Sequence, residues 1–247
     1  MTPERPGEER AAPRFRMAVL SPDSVPFSAA CERNKGPILE VLRTWLPSPA
    51  RVLEIGSGTG QHGVHFCAEL AGLRWQLSER PPCLEDLRLS LEQLGLAIPA
   101  PGSELLPPVP LDADEPSAWP AQRFQAVFTA NTLHIMAADS IPNLLSGSAG
   151  VLDPRGLLLI YGPFQDGGRH TAASNAAFDA HLRALDPAMG VRDAEQLTVM
   201  AEQRGLRLAH DQAMPANNRL LVFERRQEAG DPWLPQAVPA NGIDQPD

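Results

Sequence analysis

Apolar residues along this chain switch repeatedly between two spacings, and each switch marks a change of element. From Pro37 to Leu46, Ile38, Leu39, Val41, Leu42 and Trp45 recur at helical spacing. Val52-Leu53-Glu54-Ile55 is a short apolar run that stops at glycines, the pattern of a buried strand. Gln61 to Leu70 predicts a helix and Leu73 to Ser78 a second strand. Leu84, Leu87, Leu91 and Leu94 form the seam of an amphipathic helix from Leu84 to Leu94. Ala97 to Pro108 reads as a Pro/Gly loop, which leaves Val109 to Asp112 as a short third strand. Phe124 to Ala130 predicts a fourth strand, Ile141 to Leu152 a helix, and Gly156 to Tyr161 a fifth strand. Asn175 to Leu185 and Asp193 to Arg204 read as helices, and Leu206 to Ala213 and Arg219 to Glu224 as two last strands.

Strands alternating with helices predict a three-layer α/β/α domain with a doubly wound, mostly parallel seven-stranded sheet. Only Met214 to Asn218 separates the last two strands. A parallel crossover takes roughly a dozen residues, so the final strand should run antiparallel. Sheets that bind nicotinamide cofactors are usually parallel throughout, so this ending argues against them. The domain should span residues 27–227. Residues 1–26 and 228–247 are Pro-rich and lack a periodic apolar pattern, and both read as disordered tails.

Composition narrows the function. The chain has 247 residues, 43% of them hydrophobic, enough for one sizeable core. A net charge of −9 makes nucleic acid a poor partner. No apolar run approaches the ~18 residues needed to cross a bilayer, so no membrane association is expected. Met1 to Arg16 is charged and lacks the apolar stretch of a secretory signal. Cys31, Cys67 and Cys83 are odd in number and show no CxxC spacing, so neither a disulfide framework nor a metal site is expected. Together these features predict a cytoplasmic location with reduced thiols. Oligomeric state is left open.

The candidate chemistry lies in Glu54-Ile55-Gly56-Ser57-Gly58-Thr59-Gly60-Gln61. In an open α/β sheet, ligands bind at the carboxyl ends of the strands. Glycines there permit positive φ and let a ligand approach the backbone, and the helix from Gln61 presents free N–H groups. Two readings compete. One is Glu-x-Gly-x-Gly-x-Gly, on Glu54, Gly56, Gly58 and Gly60. The other is a dinucleotide fingerprint on Gly58, Gly60 and Gly63, whose first glycine comes too late after the strand. Glu54 favours a cationic ligand, since a carboxylate attracts an ammonium group and repels a pyrophosphate. Glu79, ending the second strand, suits ribose hydroxyls in either reading. Asp112, ending the third, is a candidate for an adenine amino group, although a solvated acidic loop explains it equally well. Asn131, Thr132 and His134 follow the fourth strand, and His134 is a candidate general base or a packed core histidine.

Several stretches together resemble the methyltransferase-like protein 26 family, within the class I S-adenosylmethionine-dependent methyltransferases. They are Glu32-Arg33-Asn34-Lys35-x-Pro37-Ile38-Leu39, Val52 through His62, Ala130-Asn131-x-x-His134-Ile135, Tyr161-Gly162-Pro163-Phe164, Ser174-Asn175-x-x-Phe178-Asp179 and Met214-Pro215-Ala216-Asn217-Asn218. The resemblance covers about Cys31 to Arg225, and one departure is Ser78-Glu79, where Ser-Asp is expected. It implies the Rossmann-like class I fold and S-adenosyl-L-methionine as cofactor. It also implies a helix starting at Arg33 and Asn34 that lies over that cofactor.

The resulting expectation is a methyltransferase acting on a small-molecule acceptor. Cofactor binding is assigned to Asn34, Glu54, Gly56, Ser57, Gly58, Gly60, Gln61, Glu79, Asp112 and Asn131, and catalysis to His134 and Tyr161. Methyl transfer is an in-line displacement, so alignment matters more than an acid–base constellation. Tyr161 to Asn175, with Gly162, Gly167 and Gly168, reads as a lid. Two other readings stay open: a methyltransferase-fold protein that binds without turnover, and an NAD(P)-dependent oxidoreductase.

Overall fold

A computed structural model describes residues 27–95 and 99–227, and the two expected tails lie outside the described residues. In chain order the elements are α1 (Ala29–Trp45), β1 (Ala50–Ile55), α2 (Gln61–Glu69), β2 (Leu73–Glu79), α3 (Leu84–Leu94), β3 (Glu104–Pro110) and β4 (Phe124–Ala130). They continue with α4 (Ile141–Val151), β5 (Leu152–Asp166), β6 (Arg169–His170), α5 (Ala173–Leu185), β7 (Arg192–Asp193), α6 (Ala194–Glu202), β8 (Leu206–Met214) and β9 (Asn218–Arg225).

Seven strands run in the order β3-β2-β1-β4-β5-β9-β8, and two-residue strands β6 and β7 pair with the far end of β5. β1 pairs in parallel with both β2 and β4, β2 with β3, and β4 with β5. β9 is antiparallel to both β5 and β8, as the short connection requires. The antiparallel strand is not at the sheet edge, however. It is inserted between β5 and β8.

Alternate strand residues face opposite layers. Leu53, Ile55, Val127, Leu158, Ile160, Leu221 and Phe223 pack with Leu144, Leu145 and Leu197 of α4 and α6. Val52, Trp75, Phe128, Leu159, Tyr161 and Val222 pack on the other face with Ile38, Leu42, Phe66 and Leu87 of α1, α2 and α3. Gly63 allows α2 to approach closely, because a Cβ there would lie 2.9 Å from each of Trp75, Leu77 and Leu105.

Four sequence expectations need correction. The first helix begins at Ala29, not at Pro37; Ser28 caps it by accepting a hydrogen bond from the Cys31 amide, and Pro37 lies inside it. Arg33 and Asn34 therefore occupy its second turn rather than its start. The expected loop from Ala97 to Pro108 contains most of β3, whose prolines are tolerated because β3 is an edge strand. Asp112 then lies beyond the end of that strand. β5 continues past Tyr161 to Asp166, and the expected lid is in part a hairpin, with Gln165 opposite His170. Gly167 and Gly168 supply its positive-φ turn, and the Gly168 amide donates to Asp193 Oδ2 at 2.6 Å.

Candidate functional site

The turn after β1 is built from three left-handed glycines, Gly56, Gly58 and Gly60, at φ 70°, 58° and 75°. A Cβ on Gly56 would lie 2.9 Å from Thr132 Oγ1, and one on Gly60 2.6 Å from Leu91 Cδ2. Bare backbone is therefore required on both sides of the turn. Its amides turn at the carboxyl ends of the parallel strands, directly before the N-terminus of α2.

Neighbouring side chains hold this turn in shape. Ser57 exchanges bonds with Ser78: its amide donates to the Ser78 carbonyl at 3.0 Å, and its hydroxyl accepts from the Ser78 amide at 3.1 Å. The Gly58 amide donates to Glu79 Oε2 at 3.0 Å, and the Arg80 amide donates to Glu79 Oε1 at 2.9 Å. Burial raises the Glu79 carboxyl above its ordinary range, against the pull of those two amides. Gln61 Oε1 accepts from the Ser28 amide at 2.6 Å and from Thr59 Oγ1 at 2.9 Å, which ties the start of α1 to the start of α2. Ser57 and Gln61 thus use their side-chain oxygens on the protein itself.

Glu54 faces the α1 and α2 layer. It is 1% exposed and accepts from the Trp75 indole at 2.8 Å, with His62 Nδ1 3.7 Å from its other oxygen. His62 Nε2 lies 2.7 Å from Asn34 Oδ1. Burial alone would lower the His62 pKa; contacts with Cys31 and Glu54 outweigh it and raise the value to about 9. Burial would likewise raise the Cys31 thiol, but His62 pulls it below its ordinary value. Asn34 therefore turns its carbonyl to His62 rather than outward.

Asn131 takes the left-handed conformation at φ 58°, and its amide donates to the Tyr161 carbonyl at 2.9 Å. This brings the end of β4 level with Tyr161. Tyr161 lies on the α1 side of the sheet, and burial raises its phenol; hydrogen-bonding contacts with Asn34 and Asn218, and the charge of Arg33, oppose that rise. His134 is buried on the loop after β4, with its ring centroid 5.1 Å from that of Phe178. Burial, helped by Arg192, lowers its pKa to about 4. Asp112 pairs with Arg80 at 3.4 Å and accepts from the Asp114 amide at 3.1 Å.

The glycine turn, Glu79, Asn131 and the α1 residues thus gather at one end of the sheet. Sequence reasoning gave His62, Trp75 and Cys31 no role. The available signal was Glu54 itself, since a carboxylate in a fully buried strand requires a partner. Asn217, at φ 57°, serves the turn before β9, and the Asn218 side-chain amide donates to the Pro215 carbonyl at 3.1 Å across the same turn.

Residues 25–225 match the model of a family described as "Protein of unknown function (DUF938)". The chain is similar in structure to the mitomycin 7-O-methyltransferase MmcR, at 25% identity and TM-score 0.64, over 80% of this chain and 55% of that one. It is also similar to an O-methyltransferase family protein from Burkholderia thailandensis, at 18% identity and TM-score 0.66, over 81% and 58% of the two chains. A third similar structure is human N-acetylserotonin methyltransferase in complex with SAM, at 14% identity and TM-score 0.63, over 80% and 53%. The chain spans a little over half the length of these structures, and the shared region is the three-layer fold with its antiparallel strand.

Proposed function

Because the chain belongs to the family described as protein of unknown function DUF938, which names no activity, we propose from the site itself that it is an S-adenosylmethionine-dependent methyltransferase acting on a small-molecule acceptor. The observation that carries this reading is the left-handed turn of Gly56, Gly58 and Gly60 closed by the Glu79 carboxylate. When bound, S-adenosyl-L-methionine supplies an electrophilic methyl group on a sulfonium.

This chain's residues fit that cofactor. The N-terminus of α2, which follows the turn directly, receives its amino-acid part. Glu79 has lone pairs left for ribose hydroxyls after taking two amides. Asp112 is the candidate for the adenine amino group, and Asn131 borders the methyl donor. Glu54 acts behind the turn, through His62 and Asn34, rather than by direct contact with the ammonium group. The fingerprint reading loses its footing because Gly63 is accounted for by packing against Trp75, Leu77 and Leu105. The resemblance to the methyltransferase-like protein 26 family and a cytoplasmic location belong to the same proposal; among the described residues no helix is long and apolar enough to cross a membrane.

Neither His134 nor Tyr161 is poised to remove a proton near neutral pH. The first is held at about 4, and the second is pushed above its ordinary value. This favours an acceptor oxygen that ionises by itself, such as a carboxylate or an acidic phenol, with Tyr161 as a hydrogen-bond donor to it. The half-exposed Phe178 ring against His134 offers an aromatic face beside it.

Calorimetric titration with S-adenosylhomocysteine, S-adenosylmethionine and NADH, alongside Gly58→Arg, tests the cofactor. The two S-adenosyl compounds should bind the native protein and not the variant. Tight NADH binding without a response to either would sink the proposal. Labelled methyl donor with matched carboxylates, phenols and amines then tests the acceptor; turnover of amines alone would overturn the oxygen assignment.

A further inference from the structure

Four arginines line one open hollow at the far end of the sheet from the glycine turn. The hollow has a volume of about 510 Å³ and is bounded by Arg155, Arg207, Glu224, Arg225, Arg226 and Gln227. Arg155 lies near the start of β5 and Arg207 near the start of β8, while Glu224 and Arg225 end the antiparallel strand β9 between them. Strand register sets them side by side, with Leu157 and Arg207 on either flank of Glu224. The glycine turn follows the carboxyl end of β1 instead, so the two places occupy opposite ends of the parallel strands.

One carboxylate orders two of the guanidinium groups. Glu224 accepts from Arg155 Nε at 3.1 Å on one oxygen and from Arg207 Nη2 at 2.8 Å on the other. Both arginines are still about half exposed, so a ligand can reach them. Arg225 Nη1 donates to the Leu152 carbonyl at 2.6 Å, and Arg123 Nη1 donates to the same oxygen at 3.0 Å, which sets a fifth guanidinium beside the hollow. The Arg226 amide donates to the Gly205 carbonyl at 2.7 Å. A guanidinium carries five N–H donors, and these bonds engage one nitrogen each on Arg155, Arg207 and Arg225. Most donors of the three forks remain for a ligand. Asp153, two residues before Arg155, accepts from Gln125. The backbone at Arg155 has φ 64°, a conformation natural to glycine and resisted by a residue with a Cβ. Among the described residues Arg155 is the one charged side chain so held. An outlier of this kind points to a use for the side chain.

We propose that this hollow binds a small anion carrying a diphosphate group. Its lining has a surplus of three positive charges, although the chain as a whole carries −9. Like charges gathered so closely repel, and an anion between them relieves the repulsion. Two linked phosphates carry about that many negative charges at neutral pH. Guanidinium forks also match phosphate oxygens in pairs. A long nucleic acid fits less well. Four of the chain's 21 lysines and arginines line this one hollow, and a polyanion extending beyond it would meet a surface more acidic still. S-adenosylmethionine contains no phosphate, so this site is independent of the methyltransferase reading and can fail without it.

Calorimetric titration of the full chain with inorganic pyrophosphate at low ionic strength should show one saturable site that weakens as salt is raised. Arg155→Gly removes one fork and relaxes the backbone, so the variant should stay folded. Its pyrophosphate affinity should fall at least about tenfold, and that of Arg207→Gln likewise. Arg88→Gln makes the same change in net charge on α3, where Arg88 pairs with Glu85, and should leave the affinity within about twofold. ADP separates two sources of the diphosphate. Tighter binding of ADP than of pyrophosphate, both lost in Arg155→Gly, identifies a nucleotide; otherwise the ligand is a free diphosphate. No saturable binding by the folded native protein overturns the proposal, and so does an equal loss in Arg88→Gln. Binding that survives Arg155→Gly and is competed by S-adenosylhomocysteine would move the anion to the glycine turn and overturn it too. A single-stranded oligonucleotide that displaces pyrophosphate and binds more tightly would replace the small anion with nucleic acid.

Discussion

The Glu79 carboxylate accepts the Gly58 amide at 3.0 Å, so the last residue of β2 closes the turn that follows β1. Two neighbouring parallel strands are thereby joined at their carboxyl ends. Glu79→Ala should weaken S-adenosylhomocysteine binding at least tenfold, because a charged hydrogen bond contributes about 1.5–3 kcal/mol. Calorimetry reads this directly. An affinity within twofold of the native value would show that Glu79 serves the turn and not the ligand.

Gly56→Ala should disrupt the same turn by a different route. A side chain at φ 70° costs about 1–2 kcal/mol, and the new Cβ would sit 2.9 Å from Thr132 Oγ1. Loss of cofactor affinity together with a lower denaturant midpoint is expected. Wild-type values for both would mean that the turn relaxes freely.

Gly63→Ala separates packing from binding. Its Cβ would press on Trp75, Leu77 and Leu105 together, each at 2.9 Å. Overpacking of this kind costs about 1–3 kcal/mol, read as a lower denaturant midpoint. Cofactor affinity per folded molecule should hold. A selective loss of affinity with unchanged stability would return Gly63 to the ligand site.

Two histidines set opposite limits on stability with pH. His134 drops from 6.5 to about 4 on folding, so the unfolded chain binds a proton there that the folded one refuses. Its influence is absent above pH 6.5, and stability falls by up to about 3 kcal/mol as pH drops toward 4. His62 rises from 6.5 to about 9, so its contribution is complete below 6.5 and is lost as pH climbs through 9. Urea unfolding across this range should show a maximum near neutral pH. His134→Gln should flatten the acid side alone, and an unchanged acid limb would show that another group governs it.

Much of the layer order could be read from periodicity, and α3 has its expected bounds of Leu84 and Leu94. Two of the misplaced elements, α1 and β3, share one cause, proline. Pro37 read as a helix start because the first turn tolerates a missing N–H, yet α1 carries it in its interior. Pro107 and Pro108 read as loop, although an edge strand can accommodate them. At the site, the residues of the turn were legible but the directions of their side chains were not. Nothing local says that Glu54 turns to Trp75, or that Gln61 reaches Ser28; both depend on a tertiary neighbour from another element.

The insertion of β9 between β5 and β8 also bears on how the chain is made. A ribosome delivers β8 before the strand it must pair with, so β8 has no partner until Asn218–Arg225 emerges. Until then the apolar edge of β5 from Leu157 to Tyr161 lies bare, open to mispairing with other nascent chains. Synthesis halted at Asn217 would therefore leave β5 open-edged and β8 without a partner. Closure of this side of the sheet therefore waits on the segment that ends at Arg225.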